Sequence, residues 1–365
     1  LLSVVVASRN DGHGLHLLAR TQVFIDGLAD QVERFGRAVE LIIVEWNPPE
    51  GSAALCDVLI CPAVNGLTAR VITVPRDVHS NLDGSEHLSF YQMIAKNVGI
   101  RRATGDAVLA TNIDILLSDD VFLDSTQMLR DQCVYRADRA DIPFDPEMAA
   151  HPQMLRRTLP IRLNRKTGIY YPGRGRTYPH VRGVGDLVSV FAHDPVGFVQ
   201  RAMRWSANSG PPGISRYRRA FRQIVVLPRL HLNGCGDFTL MTRNSWAHIR
   251  GYPEWEMFSW NLDSLLLYQA AAAGFAFIEF DDHPAFHLEH SAGWSPESHV
   301  TLFERLDRDG IPVLTDPALT DVASSIWRER RTGRWRTNLP MWGMADIEFM
   351  EVRLDGGTRR TSGRF

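Results

Sequence analysis

Lysine is nearly missing from this chain: among 40 basic residues only Lys96 and Lys166 are lysines, and the rest are arginines. The bias reads as a habit of coding composition rather than a functional choice. Cysteine is scarce too. Cys56, Cys61, Cys133 and Cys235 contain no C-x-x-C pair and no regular spacing, which excludes a disulfide framework and a thiolate zinc site and fits free thiols in a reducing, cytoplasmic compartment. No apolar run reaches the ~18 residues of a membrane-spanning helix; the nearest, Leu265 to Phe280, is interrupted by Tyr268, Gln269 and Gly274. Excess charge is absent as well. The net value of −2 rules out a nucleic-acid-binding polycation, and no internal repeat occurs. The chain opens on Leu1 rather than Met, so this end carries no information on targeting.

What remains is a globular chain of 365 residues, 44% hydrophobic and 22% charged, long enough for a substantial core. Its first third alternates short apolar runs with helical patterns. Val4–Ala7, Leu41–Val44, Val71–Val74 and Ala107–Thr111 read as buried strands, and Leu15–Phe35 and Phe90–Ala103 as helices. This alternation predicts an α/β fold with a mostly parallel sheet and helices on both faces. Ligands of such sheets lie at the carboxyl ends of the strands. Further on, Phe238–Met241 and Phe275–Phe280 read as strands, and Asn261–Ala273 and Ser298–Arg308 as helices.

The middle, about 142–230, is rich in Arg, Gly and Pro. From Arg156 to Arg229 there are fifteen basic residues against Asp186 and Asp194. Arg201, Arg204, Trp205, Arg216, Arg218, Arg219 and Arg222 interleave with Phe198, Met203, Tyr217 and Phe221. Two readings stand: a cationic surface for a phosphate-bearing acceptor or an anionic membrane face, and a solvated hairpin or subunit contact. Nothing in the sequence sets an oligomeric state. The last ten residues have the composition of a disordered tail.

Asn112 and Asp114 follow the fourth strand and aim at the same side of the sheet. A hard cation bridging two phosphates needs one or two oxygen ligands at such a place. Asp114 taken alone is equally a turn residue, because Ser118-Asp119-Asp120 directly afterwards caps a helix. Asp263 opens a helix, where the helix dipole keeps a carboxylate ionised and the first turn holds it rigidly; it reads as a general base or as an ordinary first-turn acid. Four histidines lie between His283 and His299, among them the His287-Leu288-Glu289-His290 run. In an extended loop the rings of His287 and His290 would point apart, and each reads as a ligand or as a hydrogen-bonded structural residue.

The order of these parts resembles the family 2 glycosyltransferases of GT-A fold. The resemblance runs through Ser3-Val4-Val5-Val6-Ala7-Ser8-Arg9-Asn10, Leu41-Ile42-Ile43-Val44-Glu45, Lys96-Asn97-x-Gly99 and Gly105-Asp106, then Asn112-Ile113-Asp114 in place of a D-x-D motif. It continues in Gly234-Cys235-Gly236-Asp237, in Trp246-x4-Gly251-Tyr252-Pro253-Glu254, and in Ser259-Trp260-Asn261-Leu262-Asp263. It covers about two-thirds of the chain and implies a metal-dependent, inverting transfer of a sugar from a nucleotide diphosphate-sugar to a hydroxyl acceptor, phosphate- or lipid-linked in one version. Asp263 would be the base. Asp114, with His287 and His290, would hold Mn2+ or Mg2+, the amide at Asn112 placing the charge of the motif on Asp114. Ala7, Ser8, Arg9, Glu45, Lys96, Asn97, Asn112, Ile113, Gly236 and Asp237 would line the nucleotide and donor site. The resemblance further implies a nucleotide-sugar-binding half at 1–120, an acceptor half at 121–300 that carries the Arg-rich insertion, and a C-terminal helical extension and tail at 301–365. The location would be cytoplasmic, with peripheral contact at the inner membrane face. Two alternatives remain: a sugar-1-phosphate nucleotidyltransferase, against which the first loop lacks a Gly-rich triphosphate grip, and a non-catalytic carbohydrate- or partner-binding protein.

Overall fold

The computed structural model describes residues 1–12, 15–144, 152–179, 218–219, 221–290 and 296–354. Most of the Arg-rich middle, including Phe198, Arg201, Met203, Arg204, Trp205, Arg216 and Tyr217, lies outside them, as do the last ten residues.

Four apolar runs form the parallel heart of one mixed sheet: β1 (Leu2–Ser8), β2 (Val39–Trp46), β3 (Leu67–Val74) and β4 (Ala107–Thr111), in the order β3-β2-β1-β4. Short β5 (Ile115–Leu117) follows, then β6 (Cys133–Pro143), the small meander β7 (Arg162–Arg165), β8 (Gly168–Tyr171) and β9 (Arg176–Pro179), then β10 (Phe238–Thr242), β11 (Ala276–Glu289) and β12 (Met350–Arg353). Strand β10 inserts antiparallel between β4 and β6. Strand β11 runs parallel to β6 and antiparallel to β5, and its register shifts between Phe280 and Ala285. At the other edge β12 pairs antiparallel with β3, so the C-terminal extension contributes a strand as well as its helices.

Strand alternation divides the core. Val5, Ile42, Val44, Ile72 and Val108 pack on one face with the helices Gln92–Arg102, Leu262–Ala272 and Asp316–Arg328. Val4, Val6, Leu41, Ile43 and Leu109 face the helix Leu17–Phe35 on the other. Each parallel strand is covered on both sides, which is why its sequence is a continuous apolar run. The described residues include no helix long and apolar enough to cross a membrane. All four cysteines are free thiols.

The helix Gln92–Arg102 sits unusually close to the sheet. A Cβ at Gly99 would stand 2.5 Å from Val5 Cγ1 and 3.0 Å from Val44 Cγ2, side chains rooted in neighbouring strands that cannot retreat. Gly99→Ala gains about 1 kcal/mol of helix propensity but overpacks the interface by about 1–3 kcal/mol. The variant is expected to unfold at lower urea with an unchanged slope, and an unchanged or higher midpoint contradicts the close approach.

Candidate active site

Strands β4 and β5 leave Asp114 at the end of the parallel core. The Asp114 carbonyl accepts from Leu288 N at 2.9 Å, and His287 pairs in register with Ile115, so the β5–β11 ladder brings His287 alongside Asp114. His287 Nε2 lies 3.8 Å and His290 Nε2 3.5 Å from Asp114 Oδ2. The three donor atoms fall within 4.8 Å of one another. The expected His-rich loop is instead the second half of β11. His290 stands one residue past the strand end, where the chain leaves the extended path, and its ring comes to 5.5 Å from that of His287 instead of pointing away. His283, earlier in the same stretch, pairs with Asp120 at 3.2 Å, away from this group.

The donor set suits a divalent cation. Two imidazole nitrogens at 3.5 and 3.8 Å from one carboxylate oxygen, all within 4.8 Å of one another, have the spacing of adjacent ligands on a common ion. His287 Nδ1 is bonded to Asp141 Oδ1 at 3.0 Å, which fixes the ring and leaves Nε2 towards Asp114. Burial alone would raise Asp114, but the hydrogen bond from His290 and the charges of His287 and Arg20 hold it well below the usual carboxylate range. Burial and Arg139 act to lower His287; the carboxylates of Asp141, Glu289 and Asp114 prevail and lift it to about 9.

Arg20 was not anticipated. It projects from the helix Leu17–Phe35, almost wholly buried, and donates to Asp114 Oδ2 at 2.6 Å. The one available signal was an arginine on the apolar stripe of that helix, between Leu17 and Phe24. Strand β6 was missed entirely, and with it Arg139 and Asp141. Asp141 has no exposed surface and accepts from Arg139 Nε at 2.7 Å, from Asn164 Nδ2 at 3.1 Å, and from Arg162. Arg139 also donates to Asp237 Oδ2 at 2.5 Å.

Asp237 belongs to the turn Gly234–Asp237 ahead of β10, closed by Asp237 N to Gly234 O at 3.0 Å. Its second carboxylate oxygen accepts from Asn112 Nδ2 at 2.7 Å, while Asn112 Oδ1 accepts from Gln92 Nε2 at 3.0 Å. Asn112 is thus held within the protein network rather than left towards Asp114. Within the same turn, the Gly236 carbonyl accepts from Lys96 Nζ at 2.7 Å. A Cβ on Gly236 would come within 2.9 Å of Asp263 Oδ2, so the turn lies directly against that carboxylate. Asp263 opens the helix Leu262–Ala272, and its Oδ1 accepts from Ser264 N at 2.7 Å. Burial raises Asp263 above the ordinary aspartate range; hydrogen bonds from Cys235 and Ser264 N and the Lys96 charge oppose the rise.

The remaining expected site residues divide. Ser8 and Glu45 pair in register at the carboxyl ends of β1 and β2, both buried, and Ser8 Oγ and Glu45 Oε2 have no hydrogen-bond partner among the described residues. Glu45 Oε1 accepts from Leu55 N at 2.9 Å, and burial raises its carboxyl. Arg9 lies next to them, donating to the Asn47 carbonyl at 2.8 Å and pairing with Asp11. Ala7 and Ile113 are apolar core residues in the walls beneath. Asn97 is buried away from this group: its amide donates to Tyr252 O at 2.8 Å and Glu254 Oε1 at 3.0 Å and accepts from Tyr252 N. Lys96 is likewise fully buried. In the basic segment, Arg219 and Arg222 both pair with Asp321.

No protein-family model matches the sequence, and no curated protein matches it. The solved structures that resemble the chain include GT-A-type glycosyltransferases. One is GalNAc-T7 with UDP, GalNAc and Mn2+, at 12% identity and a TM-score of 0.44, covering 90% of this chain and 49% of that one. Another is a mannosyltransferase from Pyrobaculum calidifontis in complex with GDP-Man and Mn2+, at 11% identity and a TM-score of 0.38, covering 94% and 74%. A third is residues 1–349 of S. aureus TarS, at 14% identity and a TM-score of 0.35, covering 92% and 73%. The chain spans about half the length of the first of these. With identities this low and TM-scores below 0.5, the functional reading rests on the chain's own residues.

Proposed function

We propose that the chain is a metal-dependent glycosyltransferase that moves a sugar from a nucleotide diphosphate-sugar to a hydroxyl acceptor with inversion. The observation that carries this reading is the union of two groups in one hydrogen-bonded system. The ligand triad Asp114, His287 and His290 continues through Asp141, Arg139 and Asp237 to the turn lying against Asp263. A transferase that inverts needs charge against the departing diphosphate on one side and a base for the incoming alcohol on the other.

In this reading residues 1–120 hold the nucleotide, with Ser8 Oγ and Glu45 Oε2 offering polar atoms not satisfied among the described residues. Asp114, His287 and His290 hold the cation, which supplies Lewis-acid charge for the leaving group. Two imidazole donors favour Mn2+ over Mg2+, since hard Mg2+ prefers oxygen. Asp263 removes the acceptor proton. Burial raises its proton affinity, which suits that role, because a stronger base pulls harder on an alcohol.

Asp263→Asn is expected to lower transfer by about 10²–10⁴-fold while calorimetric binding of a nucleoside diphosphate with Mn2+ stays near normal. Turnover equal to wild type removes Asp263 from the mechanism. Product anomeric configuration, read by NMR, tests inversion.

The state of His287 generates a second expectation. Below about pH 9 the ring carries a proton that must leave before Nε2 can bind a cation. Mn2+ affinity therefore rises by about tenfold per pH unit, levelling near pH 9, with one proton released per ion. Asp114→Ala should abolish the effect of Mn2+ on nucleotide affinity. A flat pH dependence, or Mn2+ enhancement that survives Asp114→Ala, contradicts the ligand assignment.

A further inference from the structure

Lys96 is a wholly buried ammonium group that the transfer reaction as described does not use. Its surroundings are specific. Nζ donates to the Gly236 carbonyl at 2.7 Å, and the same glycine leaves only 2.9 Å between the place of a Cβ and Asp263 Oδ2. The Gly234–Asp237 turn is therefore held between lysine on one side and the base on the other. Arg136 braces the run leading into that turn, its guanidinium donating to the carbonyls of His231, Asn233 and Cys235. The negative groups around Lys96 are Asp237, Asp263 and, further along, Asp114. Asp263 in turn faces Cys235, Asp237 and the Tyr252 ring system besides the lysine.

We propose that Lys96 is the positioning residue for Asp263: it ties the turn down against the carboxylate and sets a positive charge beside it, so that the base is held aimed and ionised. The inference deepens the proposed transfer reaction and rests on it. Burial drives Lys96 down to about 8, with Asp237, Asp263 and Asp114 resisting. The ammonium charge that favours ionised Asp263 is thus present at neutral pH and lost as pH rises through about 8. With Mn2+ saturating at every pH, so that the His287 proton no longer limits metal loading, one pair of groups then frames the rate profile: protonation of Asp263 on the acid side, loss of the Lys96 proton on the alkaline side.

The test is kcat/KM against pH for sugar transfer from a nucleotide diphosphate-sugar, with kcat and donor KM measured separately. The proteins are wild type, Lys96→Met, Lys96→Arg, Gly236→Ala and Asp263→Asn. Removing the charge should move the acid limb of Lys96→Met upward by about one pH unit and abolish the alkaline limb near 8, with kcat falling at least about tenfold and donor KM little changed. Lys96→Arg should restore the acid limb and carry no alkaline limb at 8, since guanidinium does not titrate there. Should Lys96→Met fail to fold, by thermal melt, Gly236→Ala reads the turn instead. Its methyl meets the far end of a flexible carboxylate, so the protein should fold while Asp263 is displaced, and kcat should fall at least about tenfold at unchanged donor KM. A wild-type acid limb in folded Lys96→Met, or wild-type kcat in Gly236→Ala, overturns the role of Lys96 even where Asp263→Asn is inactive. Full activity in Asp263→Asn instead overturns the reading of Asp263 as base, and the two failures are distinct.

Discussion

One guanidinium joins the two ends of the candidate site. Arg139 holds Asp141 through Nε and Asp237 through a terminal nitrogen, and both carboxylates are nearly or wholly removed from water. Placing two like charges so close in a low-dielectric interior costs several kcal/mol for each ion without a cation between them. With it, Asp141 fixes the ring of His287 on one side and Asp237 anchors Asn112 and its own turn on the other. Burial acts to strip the proton from Arg139, yet the two carboxylates hold it above the already high arginine range, so the bridge remains charged at any pH the fold survives.

The parallel half of the sheet was written plainly in the sequence because its strands are buried on both faces. Continuous apolar runs such as Val4–Ala7 and Leu41–Val44 leave little to confuse, and the structure extends each by a few residues only. Asp114 and Asp263 were legible for a related reason: each stands at a fixed place, just past a strand end or in a helix first turn. Strand β6 was not legible. Arg136, Asp138, Arg139 and Asp141 fall on both parities of the strand, so no alternation survives, and their burial depends on partners far along the chain in β7, β10 and β11. Arg20 was hidden in the same way, since a charge on an apolar helix stripe makes sense only once its distant carboxylate is known.

The Lys96-Asn97-x-Gly99 segment shows the difference between locating a motif and assigning its work. Its helix is where the resemblance puts it, yet each of the three residues serves packing or positioning. Asn97 closes a pair of bonds with the main chain of Tyr252, Gly99 permits contact with β1 and β2, and Lys96 meets the Gly236 turn. The resemblance implied ligand contact for Lys96 and Asn97. In the structure the side chains of this helix that face the sheet and the 250–254 segment are buried.

The amide at Asn112 follows from the same charge accounting. Asn112 Nδ2 donates to an oxygen of Asp237 at 2.7 Å; a carboxylate there would present oxygen to oxygen and leave Asp237 with Arg139 as its one cationic contact. Asp141 and Asp237 already share Arg139, Asp141 also meets Arg162, Asp114 meets Arg20, and the charge of Lys96 acts on Asp263. A carboxylate at 112 would set a further anion directly beside Asp237 in a region where water screens poorly. The departure from two acidic residues is therefore accompanied by two imidazoles beside Asp114, His287 on β11 and His290 just past it, while the amide of Asn112 holds the turn that reaches Asp263.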